Sequence, residues 1–500
     1  MLFSELCRLA KIKLDERYSD IEISGISSDS RRVSDGYLYV CIKGASFDGH
    51  DFINSAIERG AVALVCDCDY DASELPDGIA VIYSHNTRKT MAYLFSAWYN
   101  NPQDTMKIIG VTGTNGKTTV SRMIYEILYR SGRRVGLIGT VGSLYCGAKI
   151  DIRSECELSN LTTPDPEELY KIFDVMKKSG AEYIVMEVSS HSLAYSKVSP
   201  INFEVGIFTN LTPEHLDFHG DMEAYFQAKA RLFDKCKKAV INCDNPYGVR
   251  LAGMYRDKAI TCSAQSGDTS VCAEQIVLDR HGIEYKLSHP RLRARIICAI
   301  PGAFTVMNSL EATVCAYELG VSASDIKGAL AHLSGIEGRL ERVRLDKGLN
   351  FSVYIDYAHT PDALENLLRT ARGFSSRRQR IVLLFGCGGD RDRSKRAQMG
   401  RIASSMADFV IITSDNSRSE NKTDIICEIL SGVDKESCFT VIEDREDAIE
   451  YAIKNAKEND LILLAGKGHE NYEIDRSGKR YFCERDLVLK YARKYHLGDI

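Results

Sequence analysis

The sequence has no CxxC pair, no long apolar run, no surplus of basic charge and no low-complexity stretch, and each absence removes a class of protein. Its 16 cysteines are scattered from Cys7 to Cys483, and the closest pair is Cys66 and Cys68. That spacing indicates neither a zinc ribbon nor a thioredoxin-type redox site. Apolar runs such as IVLLF (381–385) fall far short of the roughly 20 residues that cross a bilayer. Glu5, Arg8 and Lys11 stand where a signal peptide needs its apolar stretch, so a reducing cytoplasmic setting is expected. A net charge of −5 argues against binding nucleic acid through bulk charge, although a local basic groove is compatible with it. With 44% apolar and 27% charged residues the composition is globular, which excludes disorder and collagen-like structure. At about 150 residues per domain, 500 residues suggest about three domains.

Residues 1–103 hold short apolar segments, YLYVCI (37–42) and VALVC (62–66) among them, and end in a helical pattern broken at Asn100-Asn101-Pro102. Residues 104–335 and 336–500 each alternate apolar strand-like runs with helical patterns. That alternation predicts an α/β fold with mostly parallel sheets and helices on both faces. Polar clusters follow the apolar runs directly. KIIGV precedes TGTNGKTT, YIVM precedes EVSSH, and GIFT precedes NLTPEHLDFHGD. In the last block FSVYI precedes DYAHTPD, IVLLF precedes GCGGDRDR, FVIIT precedes SDNSRSE, and LILLA precedes GKGHENYE. Strand-to-helix loops are commonly polar, but seven bearing Gly, Asp, His and Arg point to ligand sites at the carboxyl ends of two sheets.

Gly113-Thr114-Asn115-Gly116-Lys117-Thr118-Thr119 has the makings of a phosphate-binding loop. Its glycines let backbone N–H groups close around phosphate, Lys117 can reach the β/γ oxygens, and Thr118 can ligate Mg²⁺ at the start of the helix KTTVSRMIYEILYR. Val111 occupies the first glycine position of the standard pattern, so the loop is a variant. Glu187 ends a strand expected beside the loop strand and could hold the metal. His215 and His219 have i,i+4 spacing but lack the Glu of HExxH and a third ligand, so His215 fits a Mg²⁺ neighbour better than a zinc ligand. Lys229 lies in a helical pattern; an ammonium cannot ligate Mg²⁺, and on residues alone it reads as solvated. Arg339 and Glu341 fit either a surface ion pair or an arginine that reaches phosphates. Arg391, Asp415, Asn416, Arg418 and Glu470 mix both charge signs and suit a zwitterionic amino acid, with a surface salt-bridge network as the other possibility.

These motifs, taken in order with DSRRVSDGYLYV (29–40), FDGHDFI (47–53), LTTPDP (161–166), PGAFTVMNSLEA (301–312) and GRLERV, resemble the Mur ligase family over nearly the whole chain. The resemblance implies an N-terminal UDP-binding α/β domain, a central P-loop domain with a parallel sheet, and a C-terminal Rossmann-like domain. It implies an ATP- and Mg²⁺-dependent amide ligase of peptidoglycan precursor synthesis, monomeric, with small-molecule substrates. The run DYAHTPDAL…GCGGDRDR…GKGHE is similar to the subgroup that adds the third amino acid to UDP-N-acetylmuramoyl-L-alanyl-D-glutamate. In that subgroup a DNPR motif goes with meso-diaminopimelate; here it reads Asp415-Asn416-Ser417-Arg418, which favours meso-diaminopimelate over lysine.

By the same resemblance, Gly113 to Thr119, Asn308, Arg339 and Asp356 would serve ATP. Thr118, Glu187, His215 and a carbamylated Lys229 would hold metal. Ser28, Ser30, Ala45, Ser46, Phe47, Thr162, Thr163, Ser189, Tyr195 and Lys197 would contact the UDP-muramoyl-peptide. Arg391, Asp415, Asn416, Ser417, Arg418, Gly466 and Glu470 would bind diaminopimelate. The family usually has Gln and Arg where this chain has Tyr195 and Lys197, and Asn where it has Thr305. The alternatives are the same ligase adding lysine, a folate or other muramoyl-peptide ligase, and a P-loop nucleotide switch or ATPase.

Overall fold

The computed structural model describes residues 1–44, 47–150, 161–265, 268–279, 281–289, 292–333, 335–345, 349–375 and 379–497. The chain falls into two compact units: residues 1–113, 132–207 and 226–239, and residues 114–131, 208–225 and 240–500.

In the first unit a four-stranded parallel sheet is built from Gly25–Ser27, Tyr37–Val40, Ala61–Asp67 and Ala80–Ser84 in that order. The helix Thr87–Trp98 stops where Asn100 and Asn101 adopt φ of 55° and 45° ahead of Pro102. This break is a packed turn and not a loose connector: Ser96 donates to Asn101 at 2.6 Å, and Asn101 donates to the Leu9 carbonyl at 3.2 Å. Part of a larger, eleven-stranded sheet follows, ordered Phe203–Phe208, Lys107–Thr112, Tyr183–Glu187, Val135–Gly139, Gly142–Tyr145, Ala148–Lys149. Its central strands are parallel, and Val111 pairs with Glu187. The strand YIVME is buried along its whole length, as a parallel strand covered on both faces requires.

In the second unit the helix Lys117–Arg130 packs on Ala303–Glu318 and Ala323–His332. Strand Ala259–Ser263 runs parallel to Val271–Asp279, which continues as an antiparallel meander through Gly282–His289 and Leu292–Cys298. The C-terminal six-stranded sheet is ordered Glu341–Arg342, Ser352–Asp356, Leu461–Ala465, Ile381–Phe385, Phe409–Ile412, Phe439–Val441, parallel except for its first strand. Period-two alternation splits IVLLF between two cores. Ile381, Leu383 and Phe385 enter the core shared with helices Pro361–Phe374 and Ser394–Met406. Val382 and Leu384 face the core of Arg445–Lys454 and Glu484–Ala492. The expected α/β fold with parallel sheets is therefore present. No helix among the described residues is long and apolar enough to cross a membrane.

Buried charge ties the C-terminal strand ends together. Arg445 is fully buried; it pairs with Glu484 at 2.8 Å and donates to the carbonyls of Ser414 and Ala465. Arg445→Met leaves the Glu484 carboxylate buried without its cation, and the expected loss is about 3–5 kcal/mol. A lowered denaturant midpoint for the C-terminal sheet checks this; an unchanged midpoint contradicts it.

Candidate active site

In the second unit the polar loop after Gly113 is braced by the segment that follows strand Phe203–Phe208. The Thr114 hydroxyl donates to the Thr212 carbonyl at 3.2 Å and accepts from the Thr212 amide at 3.0 Å. The Asn115 amide donates to Asn210 Oδ1 at 2.9 Å, and the Thr209 hydroxyl donates to the Asn115 carbonyl. Gly116 caps the helix Lys117–Arg130 at φ 88°, and a Cβ there would stand 2.8 Å from Asn308 Oδ1. Only glycine meets both conditions without strain. Lys117 folds back onto the Thr114 carbonyl at 2.8 Å. A glycine-started helix N-terminus, a lysine beside the loop and a threonine at the second helical position are the parts of an anion cradle.

Arg339 reaches this cradle. Its Nη2 donates to the Thr118 hydroxyl at 3.1 Å, and its guanidinium lies 4.8 Å from the centre of the Tyr357 ring. Asp356 sets that geometry: one carboxylate oxygen accepts from the Leu340 amide at 2.6 Å, the other from the Ala358 amide at 2.8 Å. Burial raises the Asp356 pKa, and Arg339 with the two amides works against the rise. The surface Arg339–Glu341 pair weighed as one possibility does not form; Glu341 pairs with Arg485 instead. Asn115 also donates to Asp362 at 2.8 Å. Thr305, deeply buried, donates to the Pro301 carbonyl.

Spacing gave no signal for Glu214 and His359. Glu214 lies 3.9 Å from His215 and 3.4 Å from His359. Burial opposes its charge, but the His359 hydrogen bond and the charges of His215, His359 and Lys117 hold its carboxyl far below the usual range. His215 itself adopts φ 56° at the start of Leu216–His219. A carboxylate followed by histidine is too common a dipeptide to reveal such a cluster from sequence.

The first unit holds the other expected metal residues. Glu187 is buried at the end of its strand, level with Val111. Its carboxylate accepts from the Thr140 amide at 2.9 Å and the Thr140 hydroxyl at 3.0 Å. Lys229 is not the solvated side chain that its helical setting suggested. It is 1% exposed, and its Nζ donates to the Gly113 carbonyl at 2.8 Å. The Thr118 hydroxyl and the Glu187 carboxylate are oxygen donors of the kind that Mg²⁺ takes, whereas the His215 imidazole is a softer, borderline donor. The Lys229 amine joins such a set only as a carbamate.

Thr163 links Glu187 to Ser189: its hydroxyl donates to the Glu187 carbonyl at 2.9 Å and accepts from the Ser189 amide at 3.0 Å. The Thr162 and Thr140 hydroxyls lie 3.2 Å apart, and since Thr140 gives its proton to Glu187, Thr162 is the donor. Lys197 pairs with Asp165 at 2.7 Å, and Arg88 stacks 4.4 Å over the Tyr195 ring. Ser30 opens the short turn Ser30–Arg32, where Arg32 pairs with Glu167 at 2.6 Å; Ser28 lies just ahead of that turn. Phe47 is 74% exposed. Ala45 and Ser46 lie outside the described residues.

The C-terminal cluster sits at the strand ends of the six-stranded sheet in the second unit. Asp415, Asn416 and Ser417 are buried, and Asp415 pairs with the buried Lys467 at 3.5 Å, whereas Arg391 is exposed. Asn416 donates to Glu470 at 2.7 Å and accepts from Lys467 at 3.0 Å. Burial opposes the Asp415 charge, but Lys467 and Arg445 hold its pKa at about 2. Burial and the Asp415 charge push Glu470 up. Gly466 brings the backbone against Asp415. Arg418 adopts φ 50°, and its Nη1 donates to the Gly389 carbonyl at 2.7 Å. Ser419 donates to Asp390 at 2.6 Å, which ties the DNSR loop to the GGD loop that carries the exposed Arg391. A rigid pocket rim with two guanidinium groups and one carboxylate suits a ligand bearing carboxylates and an ammonium. Lys467 and Arg445, which hold the rim together, drew no notice as sequence.

Comparison with known proteins agrees with this layout. Residues 22–99 match the Mur ligase family catalytic domain, 111–316 the Mur ligase middle domain, and 338–468 the Mur ligase glutamate ligase domain. The chain is 41% identical over 496 residues to UDP-N-acetylmuramoyl-L-alanyl-D-glutamate–2,6-diaminopimelate ligase 1 of Clostridium acetobutylicum, covering 97% of this chain and 99% of that one. It is 42% identical over 479 residues to the ligase named for the same reaction in Clostridioides difficile, covering 95% and 96%. A solved structure of a UDP-N-acetylmuramoyl-L-alanyl-D-glutamate–2,6-diaminopimelate ligase superposes with a TM-score of 0.68 at 28% identity, over 99% of this chain and 100% of that one. MurF from Acinetobacter baumannii shares the fold at a TM-score of 0.64 and 17% identity, over 98% of each chain.

Gly116→Ala forces a side chain into the left-handed region at a cost of about 1–2 kcal/mol and crowds Asn308. Nucleotide affinity measured by calorimetry is expected to fall by about tenfold or more; an unaltered affinity contradicts the cradle.

Proposed function

The chain belongs to the Mur ligase family, and on that premise we propose that it is the cytoplasmic ligase that joins meso-diaminopimelate to the D-glutamate of UDP-N-acetylmuramoyl-L-alanyl-D-glutamate, using ATP. The observation that carries the choice of amino acid is the DNSR loop. Arg418 commits one nitrogen to the Gly389 carbonyl and has no other side-chain acceptor among the described residues, so it can receive the distal carboxylate of diaminopimelate. Lysine has no such carboxylate and would leave the guanidinium unsatisfied. Glu470 and Asn416 would hold the ammonium end, and Arg391 a second carboxylate. The three-domain division at 1–103, 104–335 and 336–500 belongs to the same proposal, supported by three successive family matches.

A carboxylate is a poor acylating agent, so the D-glutamate γ-carboxylate first takes the γ-phosphoryl group of ATP. The amine of diaminopimelate then attacks the acyl phosphate carbonyl and expels phosphate. The protein's part is placement and charge neutralisation. Lys117 and the helix N-terminus that begins at Gly116 would cradle the phosphates, with Arg339 reaching in beside Thr118. Asn308 would complete the nucleotide pocket, and Asp356 would act through Arg339 by fixing its backbone. Mg²⁺, held by Thr118, Glu187, His215 and carbamylated Lys229, would neutralise phosphate charge. Ser28, Ser30 and the segment ending at Phe47 would meet the uridine end of the substrate, and Thr162, Thr163, Ser189, Tyr195 and Lys197 its peptidyl end.

Phosphate release with UDP-muramoyl-dipeptide is expected only in the presence of an amino acid acceptor, strongest with meso-diaminopimelate and weak with lysine or ornithine. Equal rates with lysine would overturn the substrate choice. Release without any acceptor would favour an ATPase. Lys117→Ala is expected to abolish turnover, and Arg418→Ala to raise the KM for meso-diaminopimelate by about tenfold or more, the loss of a charge-assisted bond worth about 1.5–3 kcal/mol. An unchanged KM in the second variant removes the role given to Arg418.

A further inference from the structure

Two cysteines far apart in sequence meet in the N-terminal sheet. Cys41 follows the strand Tyr37–Val40, and Cys66 lies in the adjacent parallel strand Ala61–Asp67, where Val40 pairs with Val65. Both are wholly buried in one apolar cluster, with their sulfurs 3.9 Å apart. His50 joins them: one ligand atom from each of the three residues lies within 4.8 Å of the others. No other such group of three exists among the described residues.

His50 is held in place before any ligand arrives. Asp48 Oδ1 receives its Nδ1–H at 2.6 Å and its backbone amide at 3.0 Å. The Tyr39 hydroxyl donates to the Gly49 carbonyl at 2.9 Å. At Gly49 the chain presses so closely on the strand end that a Cβ would meet the Ile42 nitrogen at 2.5 Å. With Nδ1 donating to a carboxylate, the lone pair sits on Nε2, which accepts from the Asp67 amide at 3.1 Å. A carboxylate behind the imidazole is the usual support of a metal-binding histidine. Two thiolates on a tetrahedral ion, each about 2.3 Å from it, stand about 3.8 Å apart. The observed sulfur separation matches that spacing.

We propose that Cys41, His50 and Cys66 form a binding site for a thiophilic d¹⁰ dication, zinc being its representative. The ion replaces the two S–H protons, which leave to solvent, and Nε2 exchanges its Asp67 contact for the metal. No electron changes hands. Two thiolates cancel the charge of the dication, so the apolar cluster gains no net charge. The His50 side chain is 12% exposed, and water can take the fourth position from that side. The bound ion clamps Asp48 and Gly49, just ahead of His50, against the strand ends, and Asp48 bridges back to Lys43. Phe47 precedes Asp48 directly, so the ion would steady one residue assigned above to the uridine end of the substrate. The site itself stands independently of the ligase reading.

Cobalt(II) titration of the reduced, chelator-treated full chain tests the site. Expected are one tight equivalent, tetrahedral d–d bands with a sulfur-to-cobalt charge-transfer band, release of about two protons, and displacement of cobalt by zinc. Cys41→Ala and Cys66→Ala should each abolish the charge-transfer band while keeping the far-UV spectrum, and Cys68→Ser should leave it intact. Asp48→Asn should weaken binding by about 10–100-fold, as expected for the loss of a carboxylate behind a ligating histidine. Absence of a thiolate band in the parent chain, or persistence of the band in both alanine variants, overturns the proposal.

Discussion

The half-buried Asp356 carboxylate is the constraint on which the nucleotide half of the site depends. Both of its oxygens are spent on backbone amides, those of Leu340 and Ala358. A carboxylate removed from water needs such donors. By accepting them it fixes the chain on either side of the strand Ser352–Asp356, and with it Arg339 against Tyr357 and Thr118. The arginine is therefore placed by the fold before any phosphate arrives. The same logic recurs around Asp415, where Lys467, just past the strand Leu461–Ala465, pairs with its carboxylate and Arg445, at the start of its helix, donates to the Ser414 and Ala465 carbonyls. Catalysis by placement needs this kind of rigidity, since a positioned charge counts for more than a mobile one.

Much of the fold was legible because parallel strands covered on both faces read as apolar runs, as IVLLF, LILLA and the YIVM ahead of Glu187 do. The phosphate loop was legible because glycine, lysine and threonine at that spacing between a strand and a helix have few other uses. Burial was not legible. Lys229 looked solvated on its helix, yet its Nζ reaches Gly113 from the interior. Arg339 and Glu341 left a surface pair and a phosphate-reaching arginine equally open, and tertiary contacts send one to Thr118 and the other to Arg485. Glu214, His359, Lys467 and Cys41 act only through neighbours distant in sequence, and no local pattern marks such residues.

The positions where this chain departs from the family pattern gain from the structure a physical account. Ser417 replaces a proline, but the loop does not rely on proline for stiffness. Asp390 holds Ser419, Glu420 accepts from the Asp390 amide, and Arg418 bonds to Gly389. Tyr195 offers its ring to Arg88, and Lys197 pairs with Asp165, so both replacements have partners of their own.

The central claim is that the triphosphate energises a carboxylate that an amine then captures. It is tested most directly by supplying the muramoyl-dipeptide with ¹⁸O in the D-glutamate γ-carboxylate and weighing the phosphate released during turnover. The account predicts one ¹⁸O atom delivered to phosphate for each amide formed. Phosphate whose new oxygen comes from water, at the same rate of amide formation, would contradict it.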